Sequence, residues 1–511
     1  MNIFMIICDE LRADALENEV VKTPNIDAFT KDSVLFNQSY CNTPMCVPSR
    51  LSIVTGRHAL SHGAIDNILT PFEDEKSLYS MLKENNYQTS NHGKWHVNIA
   101  PNLFGMDYDY SGLQDTQAPE KYISCFGISD KATRAKTEFK KNDGDISLII
   151  SGKRPSHKDQ TLDSVVTDSY LKYIEDIDKS KPIFARLSIM DPHTPYIPAE
   201  PYASMYDPSR LELPASLNDS LVSKPALQRY FHKVRGFDRL QETDYRKTKA
   251  AYYGAVSHVD ERIGKVFQKL KELDLYDDSL IIFTSDHGTM LGEHGFVEKW
   301  GHLYDQVMKT PLMIKFPESK HKGKKLQSFV ESIDILPTVL ELLDIHKNEN
   351  IQGISLLPYI EGQTDKHKDE VYAQYFCGSL QDKPALMIRD NKWKLTSYPD
   401  GNSLEDKLFE DHPLRGSKFF DVEDVLGELY DLSVDPDERV NLFNDLRYQN
   451  IKNVYLEKLT HWEKGLDVKI KMEIDNGTND LGTYSFIQGK NTLKARALFK
   501  GKNKIHSILD K

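Results

Sequence analysis

The chain has 511 residues, room for roughly two to four domains at about 150 residues each, and its 39% hydrophobic and 28% charged residues are the balance of a folded globular protein. A formal net charge of −12 excludes a general nucleic-acid binder or a ligand of anionic membranes. No apolar run approaches the ~20 residues of a membrane span, and the five cysteines (Cys8, Cys41, Cys46, Cys125 and Cys377) are odd in number and lack the spacing of a disulfide framework.

Residues 3–8 form a continuous apolar run, as in a strand buried on both faces of a parallel sheet. No basic segment precedes it, so it does not read as a signal peptide, and a cytoplasmic protein is expected. Asp9 and Glu10 fall at its C-terminal end, the edge where open α/β sheets bind ligands. Thr23 and Pro24 predict the N-cap and first residue of a helix reaching about Ser33. Residues 34–45 then lead to Cys46. Pro48 predicts the start of a short helix, from Ser49 to Thr55, with Gly56 placed to end it. Cys46 would lie at the positive end of that helix, with the Arg50 guanidinium one turn on, a setting for an anionic group.

A helix is expected from Ser77 to Asn85, and a strand over 88–92 delivers Gly93-Lys94-Trp95-His96. Residues 100–160 are polar and rich in Lys and Asp, and read as a long irregular insertion over the site. A helix over 162–177 precedes a strand, Ile183 to Met190, that ends at Asp191-Pro192-His193-Thr194-Pro195-Tyr196. Residues 200–243 read as loop. Tyr252, Val256, Val259, Ile263, Val266 and Leu270 recur at helical spacing in a long helix over 244–273. The strand from Leu280 to Thr284 ends at Ser285-Asp286-His287-Gly288, and Lys299 follows. A strand from Pro311 to Phe316 and a helix from Ile333 to Leu343 complete a βα alternation. The expected fold is α/β, a mixed and mostly parallel central sheet with helices on both faces, over residues 1–365. From 366 the texture changes to short β-like runs and one amphipathic helix over 448–465. This predicts a smaller antiparallel sheet-and-helix domain over 366–511, whose lysine-rich last ~40 residues read as an arm packing on a neighbouring subunit of a homo-oligomer.

Two acidic strand ends, Asp9-Glu10 and Asp286-His287, suit a hard divalent cation bound through oxygen. The run Cys46-Val47-Pro48-Ser49-Arg50 followed by Thr55-Gly56-Arg57 resembles the signature of the type I, formylglycine-dependent sulfatases of the alkaline phosphatase superfamily. The resemblance extends to Gly93-Lys94-Trp95-His96, to Pro192-His193-Thr194-Pro195-Tyr196, to Lys299, and to Leu429-Tyr430-Asp431-Leu432 near the C-terminus. It implies that Cys46 is oxidised to formylglycine by a maturation enzyme that reads this run. The hydrated aldehyde carries two hydroxyls: one attacks sulfur, and deprotonation of the other lets the carbon expel sulfate, a release step that a plain Ser or Cys lacks. It also implies a catalytic set of Cys46, Arg50, Lys94, His96, His193 and Lys299, with Lys94 and His193 on the sulfate, His96 against the hydrated aldehyde and Lys299 at the leaving oxygen. Arg50, Lys94, Lys299 and the metal would surround the sulfate.

The implied metal ligands are Asp9, Glu10, Asp286 and His287. Calcium is the expected ion, with Mn²⁺, Mg²⁺ or Zn²⁺ as alternatives, because His287 stands where Asn is common and imidazole is softer than an amide. Glu10 stands where Asp or Gln is usual, and its extra methylene leaves open whether it touches the ion. His294 and His302 are left out of the catalytic set. Trp95, Trp300 and Tyr304 are candidates for the cavity wall, and Arg389 and Trp393 for its rim. The expected activity is hydrolysis of a small imported sulfate ester: a sugar, choline-like or aryl sulfate. Two other readings stand beside it. One is a phosphonate or phosphodiester monoester hydrolase of the same superfamily, with the same nucleophile and an Asp-His metal pair, against which Lys94 speaks. The other is a non-catalytic oxyanion-binding protein.

Overall fold

The computed structural model describes residues 1–72, 74–110, 132–141, 144–377, 384–398, 425–466, 468–473, 483–488 and 491–495. The N-terminal apolar run becomes the strand Ile3–Cys8, with all six residues buried. It pairs in parallel with Ile183–Ile189 on one side and Leu280–Ser285 on the other. Eight strands build the sheet in the order Lys325–Glu331, Val34–Tyr40, Leu312–Lys315, Leu280–Ser285, Ile3–Cys8, Ile183–Ile189, Gln88–Gly93, Tyr108–Tyr110. Leu312–Lys315 runs antiparallel to both its neighbours, and the other pairings are parallel.

Alternation along Ile3–Cys8 divides the core between the two faces. Phe4, Ile6 and Cys8 join a cluster with Tyr252, Val256, Val259 and Ile263 of the helix Glu242–Glu272. Ile3, Met5 and Ile7 join a second cluster with Leu51 and Val54 of the helix Cys46–Thr55 and with Leu336, Val339 and Leu340 of the helix Ile335–Leu342. Burial of each such side chain stabilises by about 1.5–3 kcal/mol, so both layers hold the sheet. Its parallel strands therefore present their C-terminal ends along one edge.

Beyond this sheet, Val371–Tyr375, Ala385–Arg389, Trp393–Ser397 and Gly427–Asp431 form an antiparallel sheet in chain order. The helix Gln449–Gly465 covers it. Trp462 of this helix stacks on Tyr372 at 5.0 Å and meets His58 edge-on at 5.0 Å. Glu428 accepts hydrogen bonds from Tyr304 Oη at 3.0 Å and Gln228 Nε2 at 2.8 Å, which couples the small sheet to the loops of the large one.

Several expectations need correcting. Residues 34–40, expected to be a connection, form a strand of the central sheet. Asn37, Gln38 and Ser39 break its apolar pattern, and cross-strand hydrogen bonds hold it instead. The strand Lys325–Glu331 was likewise not expected, and its alternating exposed and half-buried first half explains why. The insertion is more regular than expected: Tyr108–Tyr110 joins the sheet, and Thr133–Lys141 pairs with Gly144–Ser151. Within 200–243 lies a helix, Ala226–Val234. Pro225 and the spacing Leu227, Tyr230, Phe231, Val234 were the available signal. Thr23 does not cap the helix Pro24–Asp32 with its side chain. Asp260 does, accepting from Asn25 N at 3.0 Å and Ile26 N at 2.8 Å. Near the C-terminus, Val468–Glu473, Thr483–Gln488 and Asn491–Ala495 form a three-stranded antiparallel sheet. The tail from 496, part of the expected subunit arm, lies outside the described residues, as does Cys125. No helix among the described residues is long and apolar enough to cross a membrane.

Candidate active site

Four neighbouring parallel strands deliver the sequence motifs to one edge. Ile3–Cys8 leads into Asp9 and Glu10, Leu280–Ser285 into Asp286 and His287, Gln88–Gly93 into Lys94 and His96, and Ile183–Ile189 into the His193 loop. Gly93 allows the close approach of two of them. It lies at φ 86°, and a Cβ there would meet Ser188 O at 2.1 Å.

The helix that faces this edge begins at Cys46 rather than Ser49 and runs to Thr55, with all ten residues buried. Pro48 is its third residue, not its first. No intrahelical bond is lost, because the first four N–H groups of a helix have no partner within it. Gly56 ends the helix in the left-handed region at φ 65°.

Asp9, Cys46, Asp286 and His287 each present a ligand atom within 4.8 Å of one another, and Asp9, Glu10 and His193 form a second such group. Cys46 Sγ lies 3.3 Å from His287 Nε2 and 3.8 Å from Asp9 Oδ1. Nδ1 of His287 is 2.8 Å from Gly288 O. A carbonyl can only accept, so Nδ1 carries a proton and Nε2 is the nitrogen that faces the cluster. Oxygen and imidazole donors gathered around one point are a donor set that fits a divalent cation. The Glu10 carboxylate groups with Asp9 and His193 rather than with Asp286 and His287. Its Oε1 meets Lys299 Nζ and lies 3.3 Å from His193 Nε2, and its Oε2 is buried without a hydrogen-bond partner.

Arg50 is drawn inward. Nε donates to Asp286 Oδ2 at 2.9 Å, Nη2 to Asp9 Oδ2 at 3.2 Å, and Nη1 to Ser188 Oγ at 2.7 Å and Lys94 O at 3.0 Å. Its side chain is fully buried. The expectation that Arg50 surrounds the sulfate therefore gives way to a positioning role, in which Arg50 holds two carboxylates in place. Lys94 pairs with Asp9 and Lys299 with Glu10. Lys299 Nζ is 3.3 Å from His193 Nε2. His96 is exposed by surface area, in the left-handed region at φ 39°; its imidazole hydrogen-bonds the Cys46 thiol, and desolvation holds its pKa below the ordinary value.

The electrostatics follow from this packing. Burial and the Cys46 thiol disfavour the charged form of Asp9, but Lys94, His193 and Arg50 outweigh them and hold its carboxyl well below the usual range. Burial also opposes ionisation of Cys46, and Lys299, Lys94 and His287 overcome it, lowering the thiol far below its ordinary value. Burial disfavours protonation of His287, but Asp286 pushes it up to about 9. Burial works against the charge on Lys299, yet Cys46 and Glu10 raise it and keep it protonated. The site is thus built to stabilise negative charge at residue 46 and beside it.

The wall and rim candidates divide. Trp95 packs in the core against Tyr79, with the Arg186 guanidinium 4.9 Å from its ring. Tyr304 is buried in the hydrogen-bond network of Gln228 and Glu428. Arg389 is taken up by Asp305 at 3.1 Å, and Trp393 packs on Tyr448. These four are engaged in packing, hydrogen bonds or ion pairs. Trp300 stays beside Lys299, with its ring centroid 5.8 Å from Nζ. Sequence reasoning missed Ser188, because a lone serine in an apolar strand carries no local signal. Ser49, present in the Cys46 run, donates its Oγ to Asp286 O at 2.5 Å.

The family model for Sulfatase matches residues 1–345, more than half of the chain. The chain belongs to the sulfatase family. It is accordingly a sulfuric ester hydrolase of the alkaline phosphatase superfamily. A second family model, N-sulphoglucosamine sulphohydrolase, C-terminal, matches residues 292–412 of this sulfatase. An arylsulfatase of Clostridium perfringens (strain 13 / Type A) is 27% identical over 500 residues, covering 91% of this chain and 95% of that protein. The multifunctional alkaline phosphatase superfamily protein PehA of Trinickia caryophylli is 27% identical over 500 residues, covering 90% and 95%. Among solved structures, the phosphonate monoester hydrolase of Silicibacter pomeroyi superposes with a TM-score of 0.73 at 24% identity, over 91% of this chain and 95% of that one. At that identity it supports the fold alone.

Proposed function

We propose that the chain hydrolyses a small sulfate monoester using a formylglycine made from Cys46 and one divalent cation held by Asp9, Asp286 and His287 beside residue 46. The observation that carries this is the convergence of those ligand atoms within 4.8 Å, flanked by Lys94 and Lys299. As hydrated formylglycine, residue 46 supplies the attacking hydroxyl and the second hydroxyl whose deprotonation releases sulfate. The cation supplies Lewis-acid stabilisation of oxygen charge. Arg50 holds Asp9 and Asp286 at fixed positions. Lys94 and Lys299 move from their carboxylates toward the ester oxygens. His193, held beside Lys299 by Glu10, is placed to donate a proton to the leaving alcohol.

Charge balance supports a monoanionic ester, whether a sulfate or a phosphodiester. Arg50, Lys94 and Lys299 offset the three carboxylates of Asp9, Glu10 and Asp286, so a divalent cation leaves a twofold positive excess. A monoanionic ester that develops one more charge on its leaving oxygen matches that excess. The proposal takes calcium as the cation. It also takes a formylglycine-generating enzyme as the maturation partner, an imported substrate and cytoplasmic action.

Two measurements test this. Chelation is expected to abolish sulfate release, and added calcium or manganese to restore it; full turnover by metal-free protein would remove the cation from the mechanism. A leaving-group series of aryl sulfates and matched aryl phosphodiesters is expected to show higher kcat/KM for the sulfates. Lys299→Ala should lower kcat/KM by about 10²–10³-fold for poor leaving groups and less for good ones. Preference for the phosphodiester would favour the competing reading, which His287 supports through its imidazole. No turnover of either ester class by matured protein would favour a non-catalytic oxyanion-binding role.

A further inference from the structure

The two loops that carry Lys299 and His193 are tied together by residues outside the set above. Glu298 precedes Lys299, and Thr194 follows His193. Thr194 Oγ1 donates to Glu298 Oε1 at 3.1 Å, and Glu298 forms an ion pair with Arg235. Glu298 and Arg235 are both buried. Glu298 lies at φ 75°, a left-handed conformation that a glutamate keeps only where its surroundings over-determine it. Its backbone ladder is short, Val297–Glu298 against Met290–Leu291, and cannot supply that constraint alone.

The rest comes from the helix Ala226–Val234. Arg235 follows its last turn, with the guanidinium 5.5 Å from the Trp300 ring centroid. Phe231 of the same helix stacks on Trp300 at 6.1 Å. The residues on both sides of Lys299 are therefore held by one helix, while Thr194 extends the hold to the His193 loop. A buried carboxylate without its cation is costly, so the pair stays closed or the loop shifts. A lysine has four rotatable side-chain bonds, and a displacement of about 1 Å at a reacting group can cost about 10²-fold in rate.

We propose that Glu298 and Arg235 are positioning residues that set the Lys299–His193 pair against the leaving oxygen. This rests on the sulfatase reading for the choice of substrate only. The test is the leaving-group series on matured enzyme carrying Glu298→Ala, Glu298→Gln, Arg235→Lys or Arg235→Met. Glu298→Ala is expected to lower kcat/KM about 10–100-fold, acting on kcat more than KM, with a steeper loss for poor leaving groups. Glu298→Gln keeps an acceptor for Thr194 and loses the charge, so it should fall between wild type and Glu298→Ala. Arg235→Lys should retain more activity than Arg235→Met. An equal loss across all leaving groups, or no loss, would overturn the proposal. Where Glu298→Ala does not fold, Glu298→Gln and Arg235→Lys decide by the same slope. If wild-type protein turns over phosphodiesters instead of sulfates, the sulfate reading fails and the series is run with those esters. If it turns over neither, calorimetric binding of inorganic sulfate replaces the series: weaker binding in Glu298→Gln supports the hold of Glu298 and Arg235 on the Lys299–His193 pair, and unchanged binding overturns it.

Discussion

Cys46→Ala is expected to eliminate sulfate release, a loss on the order of 10⁴-fold or more, because the group removed is the proposed nucleophile itself. The fold should survive. Cys46 is the first residue of its helix, and the substitution deletes a single sulfur from a site whose backbone is held by Ser49 Oγ to Asp286 O and by Val47 N to Asn67 Oδ1 at 3.0 Å. A small truncation of this kind costs about 1 kcal/mol. Removing a thiol whose ionisation is favoured by Lys299, Lys94 and His287 also leaves no cation buried alone, because Asp9 and Glu10 still pair with the lysines. Sulfate release, thermal unfolding and mass spectrometry of the peptide around residue 46 make the check. An aldehyde at residue 46 in the wild type, with an inactive but folded Cys46→Ala, is the expected pattern. More than trace turnover by folded Cys46→Ala would sink the formylglycine assignment.

Asp286→Ala is expected to lose both activity and stability, and the two losses have separate causes. Asp286 Oδ2 accepts from Arg50 Nε, and its Oδ1 accepts from Glu10 N at 3.2 Å and His287 N at 3.0 Å. Truncation leaves a fully buried guanidinium with Asp9 as its remaining carboxylate, and breaking a buried pair in this way costs about 3–5 kcal/mol. It also deletes a proposed cation ligand. Asp286→Asn separates the effects: it keeps acceptors for Glu10 N and His287 N and removes the charge. Its unfolding temperature should lie between those of wild type and Asp286→Ala, while sulfate release should be as low as in Asp286→Ala. Retained calcium or manganese binding in folded Asp286→Ala, measured calorimetrically, would take Asp286 out of the ligand set.

The elements legible in the sequence are those with a strong local pattern. Ile3–Cys8, Ile183–Ile189 and Leu280–Ser285 are apolar runs of strand length, and Glu242–Glu272 repeats its apolar residues at helical spacing. The strands Val34–Tyr40 and Lys325–Glu331 were not legible, because their side chains mix polar and apolar and their stability lies in pairing with distant partners. Capping shows the same division. Thr23 has the chemistry of a cap, but Asp260, from another helix, performs it.

By itself, the sequence determined the α/β alternation, the ends of the buried strands and the motif around Cys46, since each depends on residues near one another along the chain. Only the tertiary structure decided which charged groups meet. Glu10 N reaches Asp286 across 276 positions and Lys299 reaches Glu10 across 289. Arg50 turned out to hold Asp9 and Asp286 rather than open toward the substrate side, and Glu298 with Arg235 turned out to tie the loops of Lys299 and His193 together. The physical reason is that a buried charge is stable only beside its counter-charge. Pairing of that kind is set by how the parallel strands and the helices on either face bring their ends together, and no local spacing encodes it.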